Sequence, residues 1–468
     1  MRFLVILCLI GQTTLSVVSA SPAQPNIVLL VSDDMGWNDV GYHGGTAATP
    51  NLDRLATEGI QLERFYVHPI CSPTRTAMMT GRTPSRFGIT APVGGHQGVP
   101  VEEHFLPQTF SAAGYQCFMT GKWHLGIGEG MHPLDRGFDH FYGHLGGAID
   151  YFTHTGGRGG NVDWFRNRES LVEEGYSTYL FATEALHLLA ARDREKPVFL
   201  YVPFNAPHNP PQAPAKLVEK NGSDRSGLRN AAIEAMDIAI GRILKGIDDE
   251  GMTDNTLVMF FCDNGGPGQM RGGGKGKGRP QSAPNAGADE SSDNSRRLAL
   301  RAGKGSVYEG GIRVPAIIRW PGKIEPGSSS EQFISATDLL PSLASAAKID
   351  TQNTVPLDGC QVWEAMATGA EVTRDHPIVI AGPRESWAIL QTPWKLVKPE
   401  GAQPELYQIL KDPTESKNVA EEHPDVLSQM SATLDKVVSQ AVIRRSSGPG
   451  GGKSRPGGKK GSGRRPTE

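Results

Sequence analysis

Three residues at alternating positions, Cys71, Pro73 and Arg75, offer the clearest chemistry in this sequence of 468 residues. A loop is predicted to turn into a helix here, with Ser72 as the N-cap, Pro73 as the first helical residue and Gly81 as the stop. Cys71 would then stand just before a helix N-terminus, whose free amide groups and dipole favour an anion. Arg75 adds a fixed positive charge one turn further on. A buried cysteine beside a helix cap is the plainer interpretation of the same pattern.

Four side chains with oxygen donors follow two apolar runs of the sequence. They are Asp33, Asp34, Asp263 and Asn264. The first two come just after residues 27–31, and the other two just after residues 257–261. Carboxylate and amide oxygens suit a hard cation, so the pattern predicts one Ca²⁺, with Mg²⁺ as the alternative. Zinc is not expected, because these candidates include no pair of His and Cys residues at ligand spacing.

Basic and imidazole side chains also follow strand-like segments. An apolar run ends shortly before His208, and a glycine turn presents Lys122 and His124. A second glycine-rich segment holds Lys304. Taken singly, each of these residues is more often a surface or loop residue than a catalytic one. Their position after the strand candidates makes them candidates for a shared site.

Strand and helix candidates alternate along the chain. The strand candidates are residues 27–31, 198–202, 257–261 and 314–318, the last with Pro315 confined to its start. Amphipathic helices are predicted at 178–192 and 228–248. This alternation predicts an α/β fold with a mostly parallel central sheet flanked by helices. Ligands of such sheets bind beyond the carboxyl ends of the strands, which is where the polar candidates lie.

Composition divides the chain into five predicted segments. Residues 1–20 have the pattern of a cleaved secretory signal, which predicts a secreted or periplasmic protein. A catalytic α/β domain is expected over 25–375, with a flexible basic loop at 267–301. Short strand candidates and one helix predict a small antiparallel sheet with a helix at 376–443. Residues 444–468, rich in Gly, Lys, Arg and Pro, predict a disordered basic tail.

Charge and cysteine content exclude several classes of protein. The net charge of -3 offers no case for binding nucleic acid or a membrane surface. No stretch after the signal is long and apolar enough to span a membrane. Cys8 would leave with the signal, and modification of Cys71 would leave three cysteines, which is no disulfide framework. Cys117 and Cys262 lie in apolar runs and are predicted to be small core residues.

The motifs together resemble those of type I sulfatases, members of the alkaline phosphatase superfamily. Residues 71–75 resemble the family's first signature, in which a maturation enzyme oxidises the cysteine to formylglycine. Residues 114–126 resemble the second signature, and Lys304 within residues 303–315 matches an active-site lysine. Residues 141–151 are most similar to the arylsulfatase B-like group, which acts on glycosaminoglycans. The loop at 267–301 is longer than the corresponding link in the family.

The resemblance implies a set of site residues and a mechanism. The catalytic positions are Cys71, Arg75, Lys122, His124, His208, Asp263 and Lys304. The metal ligands are Asp33, Asp34, Cys71, Asp263 and Asn264. One hydroxyl of the formylglycine hydrate would attack sulfur with Asp263 as the base, and the second would expel sulfate with help from Arg75 and His124. His208 and Lys304 would bind sulfate and protonate the leaving oxygen, and Lys122 would hold another sulfate oxygen.

The sequence therefore predicts an exported, Ca²⁺-dependent sulfatase acting on a sulfated carbohydrate, with aryl sulfates as test substrates. One alternative is a phosphatase or phosphodiesterase of the same superfamily, which would use Ser or Thr and two zinc ions. Another is a sulfoglycan-binding protein without turnover. Five aromatic residues are predicted either to stack on sugar rings or to pack a loop, and both interpretations remain open. These residues are Tyr142, Tyr151, Phe152, Trp164 and Phe165.

Overall fold

The computed structural model of the chain describes residues 24–95, 97–156, 160–267, 298–351 and 355–442. The predicted signal at 1–20 and the predicted tail at 444–468 lie outside these ranges, and so does most of the loop predicted at 267–301. No helix among the described residues combines the length and the apolar character needed to cross a bilayer.

The described residues form strands and helices in an alternating order. The strands are β1 (Asn26–Ser32), β2 (Ile60–Leu62), β3 (Phe65–Tyr66), β4 (Gln116–Lys122), β5 (His140–His144), β6 (Phe165–Arg166), β7 (Glu169–Ser170), β8 (Val198–Pro203), β9 (Thr256–Cys262), β10 (Arg313–Val314), β11 (Ala316–Arg319), β12 (Ser328–Ser330), β13 (Ile334–Ser335), β14 (Ile378–Ala381), β15 (Trp387–Gln391), β16 (Trp394–Lys398) and β17 (Glu405–Tyr407). The helices are α1 (Pro50–Glu58), α2 (Cys71–Thr80), α3 (Leu106–Ala112), α4 (Ser177–Ala191), α5 (Ala215–Asn221), α6 (Arg225–Asp249), α7 (Glu309–Ile312), α8 (Leu339–Ala346), α9 (Trp363–Thr368) and α10 (Pro424–Gln440).

The largest sheet of the described residues has ten strands in the order β12-β2-β11-β9-β1-β8-β4-β5-β6-β7. Strands β9, β1, β8, β4 and β5 run parallel, whereas β11 runs antiparallel to both of its neighbours. The apolar runs of β1, β8 and β9 are fully buried, as expected for strands covered on both faces. Helices α1, α4 and α5 pack on α6, and α2 packs on α3 and α8. The predicted α/β fold around a mostly parallel sheet is confirmed.

Two local predictions are wrong. Helix α2 begins at Cys71 and has Ile70, not Ser72, as its N-cap. Pro73 still fits, because the first turn of a helix contains amide positions that make no intrahelical bond. Residues 314–318 do not form one strand. Pro315 separates β10 from β11, which belong to different sheets, because proline cannot donate to a strand ladder.

A small antiparallel sheet of β14, β15, β16 and β17, followed by α10, closes the described chain as predicted. One face of this sheet packs on α10 through residues such as Leu396 and Leu434. The other face packs on residues near the large sheet, including Tyr66 and Ile312. The small sheet is thereby held between its own helix and the body of the protein.

Candidate active site

The ten residues predicted from sequence converge at the carboxyl ends of the parallel strands. Asp33 and Asp34 follow β1, Lys122 ends β4, and Asp263 follows β9. Their partners come from helix α2 and from loops. These partners are Cys71, Arg75, His124, His208, Asn264 and Lys304. The sheet thus brings together residues that lie more than 200 positions apart in the chain.

Two carboxylates at the centre of this group each bind one cation through a single oxygen. Lys122 Nζ lies 2.5 Å from Asp33 Oδ2, and both side chains are fully buried. Arg75 donates to Asp263 Oδ2 from Nε at 3.0 Å and from Nη2 at 2.8 Å. The second oxygen of each carboxylate, Oδ1, is buried and has no hydrogen-bond partner among the described residues.

Asp34 is the centre of a second group of contacts. Its Oδ1 accepts from Asn264 Nδ2 at 2.8 Å and from Lys304 Nζ at 2.5 Å. His208 Nε2 lies 3.9 Å from Asp34 Oδ2. The amide oxygen of Asn264 is buried, and none of the described residues donates to it.

The donor atoms at this edge of the sheet fit a hard divalent cation. Ligand atoms of Asp33, Cys71 and Asp263 lie within 4.8 Å of one another. Among the predicted ligands, three buried oxygens lack hydrogen-bond partners within the described part of the chain: Oδ1 of Asp33, of Asp263 and of Asn264. Buried polar atoms are nearly always satisfied, and carboxylate and amide oxygens are the ligands that Ca²⁺ takes. A cation among these oxygens would satisfy all three.

Burial and nearby charges together move the pKa values of Asp33 and Asp263 in opposite directions. Burial alone would raise the pKa of Asp33, but Lys122 and the other nearby cations hold it well below its usual range. Burial, together with the charge of Asp33, raises the pKa of Asp263 to about 7. Burial alone would lower the pKa of Lys304, but Asp34 and Asp33 raise it above its ordinary value, so the ammonium group stays charged.

His124 faces the side chain of Cys71. Its Nδ1 lies 3.2 Å from Cys71 Sγ. The backbone of His124 has a φ of 58° and is held on both sides: its N–H donates to Leu145 O at 3.1 Å, and its carbonyl accepts from Ser72 Oγ at 3.0 Å. Burial and the cations Lys122 and Arg75 lower the pKa of His124, so its imidazole is neutral at neutral pH. Burial raises the pKa of the Cys71 thiol, which therefore stays protonated.

Sequence reasoning missed a turn that packs against His124. Asp163 accepts from the N–H of Leu145 at 2.9 Å and from that of Gly146 at 2.8 Å. The turn continues to Gly147, where a Cβ atom would lie 2.5 Å from His124 Nε2. A side chain at 147 would therefore displace the imidazole. A pair of adjacent glycines is the only local signal of this contact in the sequence.

Cys262 does more than fill the core. It is fully buried, as predicted. Its Sγ accepts from Met35 N–H at 2.9 Å and donates to Asn264 O at 3.0 Å. The thiol thereby joins the turn after β1 to the turn after β9, the two turns that carry the predicted metal ligands. An apolar run containing one cysteine gave no indication of this bridge.

Arg229 of α6 is a further contact that the sequence did not indicate. Its Nη2 donates to the carbonyl of Asp34 at 2.6 Å and also to Asp39 Oδ2. Asp34 has a φ of 68°, a backbone conformation that residues other than glycine adopt only when their surroundings hold them. Arg229 holds this carbonyl in place.

The five aromatic residues divide into packed and exposed members. Tyr142, Tyr151 and Trp164 are buried, so most of the group packs a loop. Phe165 is half-buried, and Phe152 is 42% exposed. Among these five residues, only Phe152 and Phe165 have exposed ring surface that could stack on a sugar ring.

The sequence and the fold of this chain are similar to those of known proteins. A sequence profile of the family described as Sulfatase matches residues 25–349. Arylsulfatase J of Mus musculus is 32% identical over 393 residues, which cover 79% of this chain and 61% of that protein. N-acetylgalactosamine-6-sulfatase of Mus musculus is 33% identical over 404 residues, which cover 79% of this chain and 72% of that protein.

Among solved structures, that of Ps i-CgsB in complex with k-i-k-neocarrahexaose superposes with a TM-score of 0.78 at 29% identity. The superposition covers 90% of this chain and 94% of that one. The profile match spans well over half of the chain, and both relatives are named as sulfatases. The chain therefore belongs to the type I sulfatases, a family of sulfuric ester hydrolases.

Proposed function

We propose that this protein is an exported sulfatase that hydrolyses sulfate monoesters of a glycan, using formylglycine formed from Cys71 and one bound Ca²⁺ ion. The observation that carries the proposal is a pair of buried carboxylates beside Cys71, each with one oxygen bound to a cation and one oxygen available to bind a metal ion. Asp33 and Asp263 each keep one oxygen without a partner among the described residues while Lys122 and Arg75 hold the other.

The residues that would hold the ion are Asp33, Asp34, Asp263, Asn264 and the modified side chain at position 71. A bound Ca²⁺ supplies positive charge that lowers the pKa of a neighbouring hydroxyl group. A thiol is a soft ligand and suits this hard ion poorly. In the contacts described above, Cys71 Sγ stands in for an oxygen of the formylglycine hydrate.

The attack on sulfur and the release of sulfate use two different bases. In the attack, one hydroxyl of the hydrate loses its proton to Asp263 and bonds to sulfur, and the bond from sulfur to the alcohol oxygen breaks. In the release, the second hydroxyl loses its proton with the help of His124, whose Nδ1 lies 3.2 Å from Cys71 Sγ. The covalent sulfate leaves, and the aldehyde re-forms and takes up water. Arg75, bonded to Asp263 through two nitrogens, keeps that carboxylate oriented.

The cations around Cys71 bind the sulfate group of the substrate. Lys122 and Lys304 offer ammonium groups to the sulfate oxygens, and Lys304, which stays charged, protonates the departing alcohol together with His208. Fixed positive charges in a buried site stabilise the charge that develops during transfer, without reorganisation at the moment of reaction. Lys304 and His208 are the more exposed members, at 26% and 22% of their side-chain surfaces, which suits groups that meet the substrate first.

A glycan substrate is supported by the relatives. One relative is named for N-acetylgalactosamine 6-sulfate, and one superposed structure is a complex with neocarrahexaose. The phosphatase alternative would need two zinc centres. Among the described residues, each of the two clusters of potential ligand atoms contains a single imidazole or thiol, His208 or Cys71, beside carboxylates, which is fewer than zinc sites usually have. A sulfoglycan-binding protein without turnover remains the alternative if Cys71 keeps its thiol.

The mass of the peptide that contains Cys71 tests the proposal, together with hydrolysis of 4-nitrophenyl sulfate and a panel of sulfated oligosaccharides. Active protein should carry the aldehyde at position 71. Cys71→Ser should abolish turnover, because serine offers no second hydroxyl to expel sulfate. Full activity with an intact thiol would refute this mechanism, and an aldehyde-bearing protein that hydrolyses none of these esters would refute the function.

Metal removal is an independent test. Asp33→Asn and Asp263→Asn should each lower kcat/KM by at least ~10²-fold, because the charge that lowers the hydroxyl pKa is lost. Chelation should have the same effect, and Ca²⁺ should restore activity and raise the melting temperature of the wild type but not of these variants. Undiminished activity after exhaustive chelation, or recovery with zinc alone, would contradict a Ca²⁺ site.

A further inference from the structure

A loop at residues 146–153 contacts the surroundings of two predicted catalytic histidines, His124 and His208. At its first end, Gly147 packs against the imidazole of His124. At its other end, the hydroxyl of Tyr151 donates to Asn205 O at 2.8 Å and to His208 O at 2.9 Å. The loop therefore borders the candidate site at both histidines.

Hydrogen bonds hold the outer half of this loop in one conformation. Asp150 Oδ1 accepts from the N–H groups of Phe152 at 3.0 Å and Thr153 at 2.8 Å. Gln212 donates to Asp150 Oδ2 at 2.7 Å and accepts from Tyr151 N–H at 2.6 Å. The residues on both sides of Phe152 are thus tied to the loop that carries His208.

Phe152 is the outermost ring of a packed aromatic group. Its ring centroid lies 5.2 Å from that of Tyr176, which in turn stacks on Tyr151 at 5.7 Å. Tyr151 and Tyr176 are buried, whereas Phe152 exposes 42% of its surface. Tyr176 packs against the Phe152 ring and is itself packed against Tyr151, so one part of the Phe152 ring is covered and the rest is exposed to solvent.

Chain length bounds the distance from this ring to the reaction centre. Phe152 lies five residues beyond Gly147, which contacts His124. Because an extended chain spans at most about 3.6 Å per residue, the backbone of Phe152 lies within about 18 Å of that contact. This is the length of a few sugar rings. A small aryl sulfate at Cys71 would not reach as far along the loop as an oligosaccharide.

We propose that Phe152 is a stacking platform for the saccharide unit next to the sulfated one, which makes it a determinant of preference for oligosaccharides. The proposal rests on the glycan sulfatase function proposed above. The apolar C–H face of a pyranose ring packs on an aromatic ring, and binding sites commonly combine such faces with a few polar groups. Asp150 and Gln212 are committed to holding the loop, so the ring itself supplies the contact.

The test compares Phe152→Ala and Phe152→Tyr with Leu410→Ala, which truncates a side chain of similar exposure (41%) in the part of the chain after β17. Each protein, with an aldehyde at position 71, is assayed on 4-nitrophenyl sulfate and on sulfated hexasaccharides of chondroitin and carrageenan. Phe152→Ala should lose about tenfold in kcat/KM on a cleaved hexasaccharide, mainly through KM, as expected for about 1.4 kcal/mol of lost contact. Its rate on the aryl sulfate should not change. Phe152→Tyr and Leu410→Ala should match the wild type on both.

The remaining outcomes each contradict the platform. An equal loss on both substrates would mean that Phe152 only shapes the site, and no loss on either would mean that the ring is inert. Cleavage of the aryl sulfate without cleavage of any hexasaccharide by the wild type would overturn the platform while leaving sulfatase activity intact. Aldehyde-bearing wild type that cleaves neither substrate would overturn the proposed function, and the platform with it.

Discussion

At the scale of single residues, the candidate site depends on side chains that do no chemistry themselves. Asp34 and His124 both have positive φ angles, 68° and 58°. Such conformations cost on the order of 1–3 kcal/mol and persist only when the surroundings hold them. Arg229 holds the carbonyl of Asp34, and Ser72 holds that of His124. The chemistry predicted for Asp34 and His124 therefore relies on these partner residues. Arg229 lies outside the family motifs, whereas Ser72 lies within the first motif.

Cys262 and Cys117 form a matched pair for testing this dependence. Both are fully buried in strands, but the thiol of Cys262 joins the two predicted metal turns, whereas that of Cys117 contacts Pro107 O at 3.4 Å. Cys262→Ala should weaken Ca²⁺ affinity roughly 10–100-fold, the usual cost of losing an outer partner of a metal site. Calorimetric titration of Ca²⁺ measures this effect.

Cys117→Ala serves as the control for the cavity itself. It should lower the free energy of unfolding to a similar degree while leaving Ca²⁺ affinity unchanged. Equal affinities in the two variants would show that the thiol bridge between the turns does not support the metal site.

At the scale of elements, the turn at residues 145–147 decides where His124 can lie. Gly147→Ala would place a Cβ atom 2.5 Å from His124 Nε2, so the imidazole must leave its present position beside Cys71. We expect kcat to fall at least ~10-fold, since a positioned base contributes 10²–10⁴-fold to catalysis and depends on hydrogen-bond reach. KM should change little, because the side chains of Lys122 and Lys304, the cations proposed to bind sulfate, pair with Asp33 and Asp34 and make no hydrogen bond or ion pair with this turn among the described residues.

Gly94→Ala is the control for this substitution. Gly94 lies in the segment between α2 and α3, and a Cβ atom there would meet nothing within 4 Å. Its kcat should equal that of the wild type. If Gly147→Ala kept full kcat with an unchanged melting temperature, the turn would have no part in positioning His124.

A buried ionic group joins the small sheet to the segment that carries Lys304. Lys395 of β16 lies 2.9 Å from Glu309 Oε1 of α7 and 2.7 Å from Glu415 Oε1. None of the three side chains has exposed surface. Removing one partner of a buried ion pair leaves an uncompensated charge and costs about 3–5 kcal/mol. This contact therefore couples the small sheet to the edge of the candidate site.

The same group predicts how stability depends on pH. Burial, together with the charge of Glu309, raises the pKa of Glu415 from 4.5 to about 7. Between these values the folded protein holds a proton that the unfolded chain releases. The contribution of Glu415 to the free energy of unfolding is therefore complete below pH 4.5 and is lost as the pH rises through 7.

Urea unfolding between pH 5 and 8 measures this dependence. Glu415→Gln has no carboxylate to titrate, so its free energy of unfolding should fall less over this range than that of the wild type. The control is Glu400→Gln, at an exposed position, which should follow the wild type. Parallel curves for all three proteins would mean that Glu415 does not titrate in this range.

At the scale of the whole molecule, charge is distributed unevenly along the sequence. Residues 444–468 contain eight Lys or Arg residues and one acidic residue, whereas the whole chain has a net charge of -3. The loop predicted at 267–301 adds seven basic residues against three acidic ones. Solvated charge without function is the plainer interpretation. The alternative is that these segments attract a polyanionic substrate and raise the rate of encounter.

Deleting residues 444–468 separates these interpretations. Hydrolysis of 4-nitrophenyl sulfate should not change, whereas kcat/KM on a sulfated polymer should fall at low salt. The difference should shrink as salt rises, because exposed charges are screened over about 8 Å at physiological ionic strength. A tail of equal length with its basic residues replaced by Gln should behave like the deletion. If neither variant differs from the wild type on the polymer at any salt concentration, the tail has no such effect.

The sequence alone determined the fold class and the members of the candidate site. Strands such as β1, β8 and β9 can be predicted from the sequence because both of their faces are buried, which requires a continuous apolar run. The motif residues can be recognised in the sequence because their types and spacing are unusual. The start of α2 was predicted two residues too late, and β5 was not identified. Its sequence, with two histidines and a glycine in five residues, has no apolar run to mark it.

Only the tertiary structure decided how the site is held. The contacts of Cys262 with Met35, of Arg229 with Asp34 and of Asp163 with the turn beside His124 join residues that are distant in sequence. No local pattern encodes them, because a hydrogen bond between two loops depends on where the sheet places both loops. The same holds for Phe152, which differs from the buried aromatic residues around it only in its exposure. Residue type sets what chemistry is available, and packing across the sheet sets which groups meet.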